Sequence, residues 1–190
     1  MTRLLVMYAT VDGQTEKIAR TMGEALRSQG ARVDVIEAGT ADPDPAAYAG
    51  VIVTAAVHAG GYQRAVTSWV RAHADALRAR PTAFVSVCLG VLQSDISVHR
   101  ELAAIIRRFL RATAWHPTET KIVAGALLYT KYNWLKRWIM LRIARKAGGD
   151  TDTSRDYEYT DWADLRAFTE QFGRRAVPDA QTRTDVPAVA

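Results

Sequence analysis

One cysteine, Cys88, stands in a chain of 190 residues, so no disulfide can close within it. That suits a reducing compartment. No CxxC occurs, and His58, His73, His99 and His116 are not spaced as metal ligands, which leaves no metal site to expect. No run of about 18 apolar residues is present, so no helix is expected to span a bilayer. Met1-Thr2-Arg3 runs straight into an apolar strand with no signal-peptide core, from which a cytoplasmic location is expected. Gly-Lys-Ser/Thr and GxGxxG are both missing, which removes the two commonest nucleotide loops. Acidic residues are in the minority, 20 against 25 Lys and Arg, for a net charge of +5. A cationic balance admits a nucleic acid, an anionic membrane, an anionic ligand or simply a solvated surface. Its placement is uneven: Lys131, Lys136, Arg137, Arg142, Arg145 and Lys146 fall in one short stretch.

What is present is ample apolar residue, 48%, in an alternating order. Buried strands are expected at 3–8, 32–37, 51–56, 82–88 and 121–126. Helices are expected at 14–29, 64–78, 98–112 and 162–174. In the first helix Ile18, Met22 and Leu26 repeat on one face, and Gly30 ends it. In the second, Val66, Trp69, Val70, His73 and Leu77 face inward. Thr160 or Asp161 starts the last helix as N-cap. Residues 38–50 have room for a short helix only. Strand–helix alternation implies a doubly wound parallel sheet covered on both faces. Ligands of such sheets sit beyond the carboxyl ends of the strands, here at loops 9–15, 57–62 and 88–97. Residues 1–174 are read as one domain with an insert at 127–158, and 175–190 as a mobile tail.

The first of those loops is Thr10-Val11-Asp12-Gly13-Gln14-Thr15. Thr10 and Thr15 supply hydroxyls, Gly13 allows close approach of the backbone, and the helix N-terminus favours an anion. Hydroxyls and amides without a lysine suit a single phosphate monoester held without Mg²⁺. Asp12 is expected to turn away, capping the helix or bonding a neighbouring loop. An ordinary strand-to-helix turn uses the same residue types, so both readings stand at this point.

The loop resembles the flavodoxin signature T/S-x-T-G-x-T, with Asp12 at the central threonine. Further along stand Trp115-His116-Pro117, Ala124-Gly125-Ala126-Leu127, Gly148-Gly149-Asp150-Thr151-Asp152-Thr153 and Tyr159-Thr160-Asp161-Trp162. With them, residues 3–172 resemble the flavodoxin-type, menaquinone-dependent protoporphyrinogen IX dehydrogenases. The resemblance implies a flavodoxin-like α/β fold, a five-stranded sheet of order 2-1-3-4-5 with a helical insert near strand five. It implies FMN as cofactor, protoporphyrinogen IX (or another small donor) as substrate and menaquinone as acceptor. It also implies the site: residues 10–15 on the phosphate, Val57, His58, Ala59, Gly60 and Gly61 on one side of the flavin ring, Ser86, Val87, Cys88, Leu89 and Gly90 on the other. Thr151, Asp152 and Thr153 approach from the insert. His58 and Ala59 stand where family members carry Arg and Tyr, and Cys88 near an Asn, which implies an altered substrate face over an intact flavin cradle. Gly60 and Gly61 are expected to leave their loop bare and flexible. The flavin carries the chemistry, so no catalytic side chain is assigned.

Within the insert, residues 129–146 read YTKYNWLKRWIMLRIARK. On a helical wheel Trp134, Leu135, Trp138 and Ile139 share one arc, with Arg142 and Arg145 intruding. The stretch can lie on an anionic membrane, with Trp at the interface and Lys131, Arg137 and Arg142 on head groups. It can cover an anionic tetrapyrrole, Arg pairing the propionates. It can be an extra packed helix. Nucleic acid is set aside because no nucleic-acid module accompanies the stretch. The membrane reading gives a peripheral place on the inner face of the plasma membrane. Besides a dehydrogenase, the chain as a whole admits a flavodoxin-type electron carrier, an FMN-dependent quinone or nitro-compound reductase, and a regulatory flavin-binding protein.

Overall fold

The computed structural model describes residues 1–131 and 150–177. Of the insert's candidate contacts, Trp134, Arg137, Trp138 and Arg142 lie outside the described residues. Five strands, β1 (Arg3–Ala9), β2 (Arg32–Glu37), β3 (Gly50–Ala56), β4 (Thr82–Val87) and β5 (Glu119–Val123), form one parallel sheet of order β2-β1-β3-β4-β5. The expected order and direction are both found.

Each central strand feeds two cores, because successive side chains leave a strand on opposite sides. Leu4, Val6 and Tyr8 pack with Ile18, Met22 and Leu26 of α1 (Gln14–Ser28) and with Leu165 and Phe172 of α5 (Trp162–Ala176). Leu5, Met7 and Ala9 face the other way. They meet Val66, Trp69 and Val70 of α2 (Arg64–Ala72), Leu77 of α3 (Ala74–Arg78) and Ile106 and Phe109 of α4 (Ile96–Thr113). Burial on both faces explains why the strands read as unbroken apolar runs. Trp115, fully buried, closes the second core. Its ring centroid lies 5.7 Å from that of Phe84, and Phe84 stacks on Phe109 at 4.9 Å.

Four boundaries differ from the sequence expectation. The helix expected over 64–78 is two helices that break at His73, whose ring tilts against Trp69 and bonds Asp42 at 2.8 Å. An apolar wheel continues through such a bend and cannot reveal it. α4 starts two residues early, where Asp95 caps it through the Ser97 amide. β5 stops at Val123, and Ala126–Leu127 (β6) instead pairs antiparallel with Tyr157–Glu158 (β7), so a two-stranded ribbon stands at the base of the insert. α5 is capped by Asp161 and runs to Ala176, not 174, and Val177 still packs on the core. The residues expected to open a tail at 175 therefore belong to the domain.

β3 enters the sheet beneath α5 with no room to spare. A Cβ on Gly50 would lie 2.7 Å from the Ala176 Cβ and 3.2 Å from Phe172. Gly50→Ala is expected to cost about 1–3 kcal/mol through overpacking, lowering Tm by roughly 3–8 °C for a domain of this size. Thermal unfolding followed by circular dichroism measures it, and an unchanged Tm would contradict this packing.

Candidate functional site

Four residues carry the chain from β1 into α1. Gly13 occupies the N-cap with φ of 95°, a left-handed conformation that any side chain would strain. Its N–H donates to Thr10 Oγ1 at 2.9 Å, and Gln63 Nε2 donates to the Thr10 carbonyl at 2.6 Å. The loop is thus closed on itself and pinned from the start of α2. No side chain caps α1 at Gly13. Its first-turn amides have no partner inside the helix, and the helix dipole adds partial positive charge there. Thr10 Oγ1 accepts from Gly13 and keeps its own O–H to donate. Thr15 is largely buried, and its hydroxyl bonds no group among the described residues.

Residues 57–62 form a closed turn, not the loose loop expected from two glycines. His58 N–H donates to Gly61 O at 2.9 Å and Gly61 N–H returns to His58 O at 3.0 Å. Ala59 (φ 46°) and Gly60 (φ 73°) both take positive φ, the geometry of a type I′ hairpin turn. An alanine there stores about 1–2 kcal/mol of strain. Arg108 of α4 ties the turn down by bonding the Gly60 carbonyl. Tyr62 points inward: its hydroxyl shares a hydrogen bond with Ser86 Oγ at 2.7 Å, and its ring packs edge-on against Phe84 and Phe109. Burial, only partly offset by the Ser86 contact, pushes its phenol up to about 12.

The third loop begins at Cys88, whose N–H donates to Val123 O at 2.9 Å and whose Sγ accepts from the Gly90 amide at 3.3 Å. Burial raises its thiol above the ordinary value, against the pull of that amide. Neither Tyr62 nor Cys88 is ionised near neutrality. Leu89 opens a short 3₁₀ turn, Leu89–Leu92, and packs on the cluster of Leu127 and Tyr129. The three loops rise side by side because β1, β3 and β4 are adjacent in the sheet.

Thr151, Asp152 and Thr153 are placed otherwise. Asp152 accepts from the Ser154 amide (3.0 Å) and hydroxyl (2.6 Å), which hold its carboxyl below the ordinary value against slight desolvation. Among the described residues no hydrogen bond or ion pair joins 151–153 to residues 10–15. The connection runs instead through Glu158 of β7, a residue that spacing could not single out 144 positions from Gln14. Glu158 accepts from Gln14 Nε2 at 2.7 Å and Lys17 Nζ at 2.8 Å, and Lys17 lies 4.8 Å over the Trp162 ring. Gln14 also donates to Thr160 Oγ1 at 3.0 Å. Beside this contact lies an open cleft of about 420 Å³ lined by Gly13, Gln14, Lys17, Leu128, Asp156 and Glu158. Gln63, Arg108 and Glu158 are the positioning residues that sequence reading missed. Each acts across the fold with no local signal.

An uncapped helix start behind a left-handed glycine, at the carboxyl edge of a sheet ordered 2-1-3-4-5, defines a mononucleotide-binding α/β protein. The flavodoxin domain family matches residues 5–154. The chain is 32% identical over 170 residues to protoporphyrinogen IX dehydrogenase [quinone] of Escherichia coli, covering 89% of this chain and 93% of that protein. A protein of the same name from Leishmania major is 32% identical over 172 residues, 90% of this chain and 74% of the other. Oxidised flavodoxin 1 of Bacillus cereus superposes with a TM-score of 0.52 at 15% identity, over 90% of this chain and 97% of that one. A flavodoxin mutant of Pseudomonas aeruginosa does so at 0.55 and 12%, over 92% and 98%. The chain belongs to the flavodoxin family, and FMN is its cofactor. The loop fits that group: a monoester phosphate there would meet uncapped amides and two hydroxyls with no metal needed.

Partial burial pushes the Glu158 carboxyl up, but hydrogen bonds from Lys17 and Gln14 bring it below its ordinary value. A depressed carboxyl stabilises the fold above the ordinary glutamate value and loses that contribution as pH falls through the depressed one. Glu158→Gln is therefore expected to lower the urea midpoint at pH 7 and to converge on the parent well below roughly pH 4.3. A gap that stays constant across the range would show that the ion pair is not its source.

Proposed function

We propose that this chain is an FMN-dependent dehydrogenase that oxidises protoporphyrinogen IX and passes the electrons to a quinone, menaquinone being the acceptor that the sequence resemblance implies. The observation that carries the reading is the uncapped first turn of α1 behind Gly13, in a chain that spans 93% of a dehydrogenase of that name. Bound FMN supplies the redox chemistry, and the protein supplies position and electrostatics.

Thr10, Val11, Asp12, Gly13, Gln14 and Thr15 would hold the phosphate. The type I′ turn at His58–Gly61, with Val57 before it, would flank one side of the ring, and Ser86–Gly90 the other. Support for the ring position comes from rigidity: the first loop is tied by Gln63, the second by Arg108 and its own paired amides, the third by Val123. With Tyr62 and Cys88 both neutral, the walls suit an uncharged ring and an apolar macrocycle. Thr151, Asp152 and Thr153 would approach the flavin from the insert. Lys131, Trp134, Arg137, Trp138 and Arg142 would meet an anionic membrane, placing the protein peripherally where a lipid-soluble quinone resides. The basic, Trp-containing composition of 130–147 supports this contact. Among the described residues no helix is long and apolar enough to cross a membrane.

The test is anaerobic. The purified protein is expected to show flavin absorbance, to bleach on addition of protoporphyrinogen IX and to recover with a menaquinone analogue. Bleaching by a reductase protein alone would make it an electron carrier instead, and bleaching by a nicotinamide donor alone a quinone reductase. No bleaching under any condition would make it a regulatory flavin binder.

Gly13→Val forces a branched side chain into the left-handed position and disturbs the amides behind it. It is expected to weaken FMN binding at least about tenfold, equivalent to one charge-assisted hydrogen bond of about 1.5–3 kcal/mol. Titration by flavin fluorescence quenching measures this. Wild-type affinity in the variant would exclude the loop as the phosphate cradle.

A further inference from the structure

The insert is not the only concentration of cationic charge. On α4, at about 100° per residue, Ile96, Arg100, Arg107 and Arg111 fall within an arc of about 60°, opposite the buried Leu102, Ile105, Ile106 and Phe109. Arg100, Arg107 and Arg111 are exposed, and among the described residues none of the three makes a hydrogen bond or ion pair. Arg71, Arg78 and Arg108 border the stripe, bonding the carbonyls of Ala112, Ala114 and Gly60. The acidic groups nearby are Glu101 on the flank of α4, Asp75 paired with Arg78, and Asp95 engaged as the cap. At the end nearest the cofactor loops, two large apolar side chains stand in solvent, Leu92 at 52% and Ile96 at 65%.

From this arrangement we propose that α4 docks on the surface of an anionic lipid bilayer, Leu92 and Ile96 entering the headgroup region and the arginine stripe lying along the lipid phosphates. Two observations favour a bilayer over an acidic protein. The charges run in one line of about 17 Å, matching a flat, evenly charged plane. The apolar pair sits at one end of that line, whereas a protein interface places its apolar centre inside a polar rim. The surface also reaches the site. Arg108 ties α4 to the 58–61 turn, and a Cβ on Gly90 would lie 3.1 Å from Val98 and 3.3 Å from Leu102, so the third loop rests on α4 as well. Docking through this face holds both ring-flanking loops at the bilayer, where a quinone is exchanged.

That orientation rests on the quinone reading, but the surface is tested without donor or quinone, so either can fail alone. Full-length, FMN-loaded protein is sedimented with phosphatidylcholine vesicles that contain or lack phosphatidylglycerol. The intact protein is expected to bind only the anionic vesicles, and less at high salt. Arg100→Gln/Arg107→Gln/Arg111→Gln is expected to bind about 100-fold more weakly, at roughly fivefold per arginine. Ile96→Asp is expected to weaken binding as well. Flavin absorbance and melting temperature should be unchanged in both, which separates lost docking from lost folding. Residues 130–147 are intact in both, so the loss reports on α4. Binding of the triple variant equal to that of the parent overturns the proposal. So does a parent protein that ignores anionic vesicles, whether or not it captures an acidic protein.

Discussion

A helix that starts against the end of a buried strand presents amides that nothing inside the helix can accept. Most helices answer with a serine, threonine or aspartate at the N-cap. α1 does not: its cap position is Gly13, whose own N–H turns back to Thr10. That leaves the first-turn amides without a cap from that position, as an incoming anion would require. The rest of the site is scaffolding for that choice. Gln63 fixes the loop from α2, Glu158 fixes Gln14 from the ribbon, and β1 carries the loop beside β3 and β4, whose own loops rise next to it.

The fold was legible in the sequence wherever local pattern and tertiary burial ask for the same thing. β1 and β3 are unbroken apolar runs because both faces of the sheet are covered, and the Ile18, Met22, Leu26 repeat marks the one face that α1 buries. Legibility fails where long-range partners decide. The break at His73 leaves the apolar wheel intact, and the end of β5 depends on β7, some thirty residues later. Within the candidate site, the first loop stood out because its residues are consecutive. The stiffness of the 58–61 turn could not, since two glycines suggest freedom and only the paired amides and Arg108 remove it.

The ribbon changes how the insert is understood. Residues 126–127 and 157–158 pair with each other, and Glu158 then grips the first turn of α1. The insert's base is thus joined to the phosphate loop, not hung from the far edge of the sheet. Trp162, the first residue of α5, lies under the same Lys17 that Glu158 holds. The first loop, the ribbon and the closing helix thus share one small set of contacts.

The distribution of charge fits an enzyme whose two reactants are both poorly soluble in water. Around the ring-flanking loops the ionisable groups with shifted values, Tyr62 and Cys88, are shifted toward their neutral forms by burial. Exposed cationic groups line the outward stripe of α4, at Arg100, Arg107 and Arg111. A water-borne electron carrier would need charge around its redox edge to find a soluble partner. Here Tyr62 and Cys88 stay neutral beside those loops, while the arginine stripe of α4 attracts an anionic surface at long range and Leu92 and Ile96 offer an apolar contact at short range. Electrostatics would then set where the protein works.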